Sequence, residues 1–332
     1  MAVRGGGRSV LVGVVAAALC GVGAELLSGY GPSTGHLDQV VVAVVFFAAL
    51  YGAPALLARE VARRRRWGWP SLLSLMAALG VAQCCVIDQS LFSADYQGYD
   101  GWQQARELTW VPWLGTSAYN AANFVLGHLI FSFAAPIAVA EAWRPALAHR
   151  KWLNGWGIGA ALVAYLTSAA MILGDPQSRS ASPTQLLVSV GVIAALLGVA
   201  AGLRGRGLAV TDTGRRPPGV AVVVVVAAGF GVVVECVPPT WWGVSVYLTA
   251  AAVGAGLLWW ASTSTVWTWR HGAAVGVGLL LARGLLAIVG DPVGGDVVAV
   301  AKYTHNAVML AVVAAAGWYA LHSVRTSTKV GQ

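Results

Sequence analysis

Arg59-Glu60-Val61-Ala62-Arg63-Arg64-Arg65-Arg66-Trp67-Gly68-Trp69 separates two long apolar runs. Short Lys/Arg-rich loops stay on the cytoplasmic side of a bilayer, so if the flanking runs are membrane spans, this loop lies inside and every other run can be counted from it. On this reading the cluster sets topology and carries no chemistry of its own.

Composition requires the membrane. Of 332 residues, 58% are hydrophobic and only 10% charged, and the mean hydropathy is +0.70. A soluble domain of this length needs a far more charged surface. The expected fold is therefore an all-α, polytopic transmembrane helix bundle. A formal charge of +8 would suggest nucleic acid in a soluble chain. Here the basic residues fall between apolar runs, which makes them orientation signals and contacts for anionic lipid head groups. No nucleic-acid partner is implied. Cys20, Cys84, Cys85 and Cys236 all lie in apolar runs, so there is no disulfide framework of the secreted kind.

Counting outward from the arginine loop gives about ten spans, at 10–30, 37–58, 70–92, 116–143, 152–174, 184–203, 219–237, 243–262, 272–290 and 296–322. Each is close to the ~20 residues that cross the hydrocarbon core. The first run is longer than the ~7 to 15 residues of a signal-peptide core and reads as an uncleaved span. Both chain ends then face the cytoplasm of a bacterial plasma membrane. Of the 21 Lys and Arg residues, only Arg106 and Arg179 fall in loops on the other side, and only Arg283 and Lys302 lie within spans. The whole chain reads as one membrane domain, with a two-helix leader (1–66), helices three to six (67–203), a cytoplasmic linker (204–218) and helices seven to ten (219–332). Gly80, Val81, Cys85 and Val86 match Gly231, Val232, Cys236 and Val237, and Gly174-Asp175-Pro176 matches Gly290-Asp291-Pro292. Both pairs are four spans apart, as a parallel four-helix repeat would place them.

Small residues four apart, at Gly155 and Gly159, Gly198 and Gly202, and Gly272 and Gly276, are expected to let helices approach closely. Tryptophans near span ends (Trp67, Trp69, Trp241, Trp242, Trp267, Trp269, Trp318) read as interfacial anchors. The longest non-apolar connection, 93–115, is rich in Trp and Tyr and is expected to lie on the outer surface or over a cavity mouth.

Polar residues inside the spans carry whatever chemistry there is. The third span holds Gln83, Cys84, Cys85 and Asp88, and the fourth Asn120, Asn123 and His128. In the tenth, Lys302, His305, Asn306 and Met309 share one face. Arg283 lies well inside the ninth span, and Glu25 and Glu235 sit near the outer ends of the first and seventh. At 1.5 Å per residue, Cys84, His128, Arg283 and His305 lie roughly 10 to 16 Å from the outer ends of their spans. Ionisable groups at that depth face one another or a wet cavity. His128, Arg283, His305, Asn306, Lys302, Asp88, Glu235, Asn120 and Asn123 are therefore the candidate pathway or binding residues. Beside that reading stands a structural one: Lys302 snorkels to the outer surface, and Glu25, Asp88 and Glu235 are shallow enough to do nearly the same. Cys84, Cys85, His128 and His305 form a soft donor set that copper or zinc would suit, but no ligand spacing within a helix supports it. The chain has no Gly-rich phosphate loop, no nucleophile elbow and no HExxH.

The FxxxH spacing of Phe124-Val125-Leu126-Gly127-His128 resembles the second motif of the CPBP intramembrane protease family. That family also uses a preceding Glu-Glu pair and a further His followed by Asn at a spacing of four. Here the corresponding region reads Gln83-Cys84-Cys85, and His305 is followed directly by Asn306. The resemblance implies a chain without the catalytic carboxylates. The leading expectation is thus a protein that binds or translocates a small polar solute or ion through an outer-half cavity between the third, fourth, ninth and tenth spans. An intramembrane enzyme is the first alternative, with His128 and His305 as bases or metal ligands and Asp88 as acid; a non-catalytic assembly subunit is the second.

Overall fold

The chain was described from a computed structural model covering residues 6–31, 33–99, 101–204, 216–292, 295 and 297–323. The basic residues expected at Arg4, Arg206, Arg215, Arg325 and Lys329, and most of the 204–218 linker, lie outside the described residues. So do Asp100 and Asp296, and nothing is described of the Arg8 side chain.

The molecule is an all-α helix bundle. Among the described residues nine helices are long and apolar enough to cross a bilayer: Ser9–Leu26, Leu37–Arg64, Trp69–Ile87, Ala118–Trp143, Gly155–Gly174, Pro183–Gly202, Trp241–Ser262, Trp269–Val289 and Ala299–His322. The expected seventh span is a shorter apolar helix, Val220–Cys236, of 17 residues, which at 1.5 Å per residue is about 25 Å long. Spans are numbered below in chain order with this helix as the seventh. Among the described residues the strand content is one antiparallel pair that joins the 93–115 connection to the start of the fourth span, Trp110 opposite Ser117 and Val111 opposite Thr116.

Polar caps start several spans. Ser117 Oγ accepts from Asn120 N–H at 3.1 Å, Asn154 Oδ1 from Gly157 N–H at 2.8 Å, and Ser182 and Gln185 form a reciprocal capping box. The first, fourth and ninth spans supply much of the core, through Ala16, Leu19, Cys20, Phe131, Ile137, Ala273 and Leu280. The seventh packs along the ninth, the third along the sixth, and the basic-end half of the second along the fifth. The fifth, sixth and eighth spans are peripheral, with Leu162, Leu166, Leu187, Val253 and Leu257 exposed where lipid would lie.

Two expectations about packing are corrected. At Gly155, Gly159, Gly198, Gly202 and Gly272 an added Cβ would meet nothing within 4 Å, so these glycines do not mediate helix contacts; of the six, only Gly276 packs closely, with Ala135 O 2.6 Å from such a Cβ. The close approaches are elsewhere, at Gly52 against the Ala17 backbone and Gly23 against Phe131 O. The four-helix repeat also fails to appear in the packing. The third span lies on the sixth, whereas its supposed equivalent, the seventh, lies chiefly on the ninth.

The Arg59 cluster is a third correction. The second span does not end near residue 58 but runs as helix to Arg64, and Arg59, Glu60 and Arg63 are buried. Glu141, wholly buried near the end of the fourth span, accepts from Arg59 Nε at 2.9 Å and from Arg63 Nε and Nη2 at 2.9 and 2.8 Å. Glu60 accepts from Trp152 N–H at 2.6 Å and from Arg64 Nε at 3.1 Å. Arg59 Nη2 donates to Ala148 O at 2.7 Å, and its guanidinium lies 3.3 Å from the centroid of a Trp152 ring. This end of the bundle is therefore locked by a buried ion network, a role that charge counting alone does not reveal.

Candidate functional site

Four successive spans depart from α geometry at one place each. Val22–Leu26, Ala48–Gly52, Gln83–Ile87 and His128–Ala134 are π-helical. Two of these have a local cause. Pro54 and Pro136 lack an N–H, and their rings would collide with the carbonyls of Leu50 and Ser132 one turn back; a widened turn ahead of each proline relieves that clash. The other two fall in the last turn of their spans, ahead of the loops.

Each π segment delivers a polar side chain to the same cavity: Glu25 from the first span, Tyr51 from the second, Gln83 from the third, His128 and Ser132 from the fourth. The cavity measures about 1080 Å³ and occupies the half of the bundle nearest the 93–115 connection. Its wall is completed by Glu235 of the seventh span and Arg283 of the ninth, with Asp88 and Tyr30 at the ends of the third and first. The 93–115 connection closes over it, placing Tyr96, Tyr99 and Trp102 on the lining, as expected of a cover. Trp102 is buried, its Nε1–H donating to Ser93 O at 3.2 Å, and its ring meets Phe124 edge-on at 5.5 Å. Burial pushes the Tyr96 and Tyr99 hydroxyls above the ordinary phenol range, so both stay neutral donors.

Arg283 and Glu235 form an ion pair, at 3.0 Å. Arg283 Nε also donates to Ser28 Oγ at 2.9 Å, and the guanidinium lies 4.6 Å from the Phe131 ring centroid. Beside it runs a second chain of contacts. Tyr51 Oη donates to Glu25 Oε1 at 2.5 Å, the Tyr51 ring stacks on His128 at 5.3 Å, and His128 Nδ1 is 3.0 Å from Ser132 Oγ. Asp88 accepts from Ser90 N–H at 2.8 Å and from Gln83 Nε2 at 3.3 Å.

Of the candidate residues, His128, Arg283, Asp88, Glu235, Asn120 and Asn123 line the cavity. The tenth span does not, and three candidates are tied elsewhere. His305 Nε2 is 2.8 Å from Leu26 O, Asn306 Nδ2 donates to Ala287 O at 2.7 Å, and Lys302 Nζ donates to Gly290 O. The first, second and seventh spans line the cavity in its place, and Glu25 belongs to the site. Cys84 and Cys85 pack with Val81 and Leu91 in a small apolar cluster. Among the described residues, no three His, Cys, Asp or Glu side chains gather as a metal site, so the four soft donors are not brought together. Among the described residues Asp88 is bonded to Ser90 and Gln83 and forms no hydrogen bond or ion pair with either histidine, so it is not placed as their acid partner. Glu25 is thus a site residue rather than a shallow structural one, and Tyr51, absent from the candidates, has a signal in the sequence: it lies in an apolar run three residues before a mid-span proline.

The bundle and its cavity define a multi-pass helical membrane protein with a polar chamber in one half of its thickness. Comparisons with protein families, with curated proteins and with solved structures give no match. Phe124 and His128, the two ends of the FxxxH spacing, both line the cavity.

Proposed function

We propose that the protein binds a polar organic solute in this cavity and moves it into or across the membrane, with the basic end cytoplasmic in a bacterial plasma membrane. The observation that carries the reading is the convergence of Glu25, Tyr51, Gln83 and His128 from four π segments on one chamber. π segments are rare and gather at functional sites, and intramembrane ionisable residues mark solute pathways. Volume refines the substrate size. A chamber of about 1080 Å³ lies just above the range of small-molecule pockets, ~300 to 1,000 Å³, and far exceeds what a bare ion needs.

The test is the thermal stability of the purified protein across a panel of sugars, amino acids, amines and carboxylates, with Ser28→Trp as the cavity-filling variant. Saturable stabilisation by one class, lost in Ser28→Trp, supports the reading. No response from any class in folded protein refutes it.

One observation favours a second reading, an intramembrane hydrolase. The His128 imidazole and Ser132 hydroxyl are paired at 3.0 Å and both line the chamber, the arrangement of a base and a nucleophile. Labelling of Ser132 by a fluorophosphonate, lost in His128→Ala, would favour it over transport.

A further inference from the structure

We propose that the solute is an organic cation, an amine or quaternary ammonium compound with an apolar body. This rests on the reading of the chamber as a solute site. Among the described residues three carboxyls line the chamber, Glu25, Asp88 and Glu235, against one guanidinium, Arg283, and one imidazole, His128. The guanidinium is already used: it pairs with Glu235 and donates to Ser28 and to Ala24 O. An anionic solute would find its donors engaged.

Glu25 and Asp88 are left with neutral partners. Tyr51 serves the first, and the Ser90 amide and Gln83 serve the second. Neither forms a salt bridge among the described residues. Arg283, already paired with Glu235, is the only cation within electrostatic reach of Glu25 among the described residues; a carboxylate with no ion pair of its own is costly to hold away from water, and a cation arriving in the chamber supplies one.

The rest of the wall selects the kind of cation. Tyr96 packs against Tyr99 at 5.7 Å and against Trp102 at 5.2 Å, while Tyr30 lies 6.4 Å from Tyr99. These rings form an aromatic wall on the same chamber as the two acids. Aromatic faces hold large, weakly hydrated cations, and quaternary ammonium groups are their established ligands. A hard metal ion needs six or more oxygen ligands, and no group of three acidic, His or Cys side chains is assembled here among the described residues.

The full chain in lipid nanodiscs is titrated with choline, its uncharged carbon isostere 3,3-dimethylbutanol, benzyltrimethylammonium and benzoate. Both ammonium compounds should bind saturably, and the isostere at least about tenfold more weakly. Glu25→Gln and Asp88→Asn, near-isosteric changes whose folding is checked by Tm, should each weaken the ammonium probes about tenfold. Glu107→Gln, on the exposed face of the covering loop, should leave binding unchanged. If the isostere binds as well as choline, or benzoate binds and Ser28→Trp abolishes it, the chamber remains a solute site and the cationic class is wrong. If none of the four probes binds folded protein, the cationic class is also wrong, and the wider panel alone decides whether the chamber takes solutes.

Discussion

Glu141→Gln is the sharpest test of the locked end. The native carboxylate is fully buried and receives three hydrogen bonds from two guanidinium groups, at 2.8 to 2.9 Å. The amide keeps the shape but carries no charge, and its NH₂ points donors at donors. Arg59, with a fully buried side chain, and Arg63, at 4% exposure, are then left with Glu60 as the only buried acid among the described members of the network. Removing one partner from a buried ion cluster costs ~3–5 kcal/mol; here Arg63 loses its acid outright, while Arg59 keeps Glu60 at 3.3 Å. A value within that range is expected. The assay is reversible unfolding of the purified protein in mixed micelles at rising SDS fraction, followed by tryptophan fluorescence. Adding Arg63→Met removes one stranded cation and should recover ~1–3 kcal/mol. Adding Arg59→Met instead should recover less, because Arg59 also serves the carbonyls of Leu147, Ala148 and Arg150. A loss below ~1 kcal/mol in Glu141→Gln would mean that water or lipid phosphate reaches the cluster, and the lock would be refuted.

Reporter fusions after Arg66, Lys151 and Arg216 should behave as cytoplasmic and fusions near Gln177 and Asp291 as external; two reversed sites would overturn the orientation. Gly52→Ala places a Cβ against the Ala17 backbone and should cost ~1–3 kcal/mol, while Gly159→Ala, facing open space, should fall within ~0.5 kcal/mol of wild type; equal effects in the unfolding assay would show that the packing is misassigned. Burial holds His149 below the usual imidazole range; Arg63 and Arg59 push the same way and Glu141 opposes them. The unfolded chain therefore takes up a proton below about pH 6.5 that the folded chain resists. The stability contributed by this group is present above that pH and lost as pH falls, so Tm should drop on acidification and the drop should shrink in His149→Gln. An unchanged slope would remove His149 as the cause.

The architecture was legible because hydropathy alone sets the length and number of spans. Backbone groups in lipid must be satisfied within helices, so a run such as 184–203 has little choice of structure, and the helix found is Pro183–Gly202. The role of Arg59 to Arg66 was not legible from one stretch. Four arginines in a row look like a solvated loop, and only the neighbouring Glu141, more than seventy residues away, turns Arg59 and Arg63 inward. Small-residue spacing misled for a related reason. Gly155 and Gly159 define a narrow helix face, but which face meets a neighbour depends on where the helix sits in the bundle, and the fifth span sits on its rim.

The site shows where regular periodicity stops being a guide. Reading the fourth span as one straight α-helix places Asn120, Asn123 and His128 together correctly, because these residues precede or begin its π segment. Beyond that point each π turn rotates the following residues relative to an α-helical wheel, so a wheel drawn through the whole second span does not relate Tyr51 to the residues beyond it. Pro54 and Pro136 were the visible warning, since a proline within a span demands some local relief. The tenth span carries the opposite lesson. Its polar face of Lys302, His305 and Asn306 is real, but the backbone carbonyls of Gly290, Leu26 and Ala287 engage its nitrogens, leaving Asn306 Oδ1 buried without a partner among the described residues. A polar stripe in a membrane helix therefore marks a cavity only when no neighbouring helix end or loop offers it carbonyls. Here the first and ninth spans end beside the tenth, and the chamber opens instead onto the spans whose π turns leave Glu25, Tyr51 and His128 facing one another.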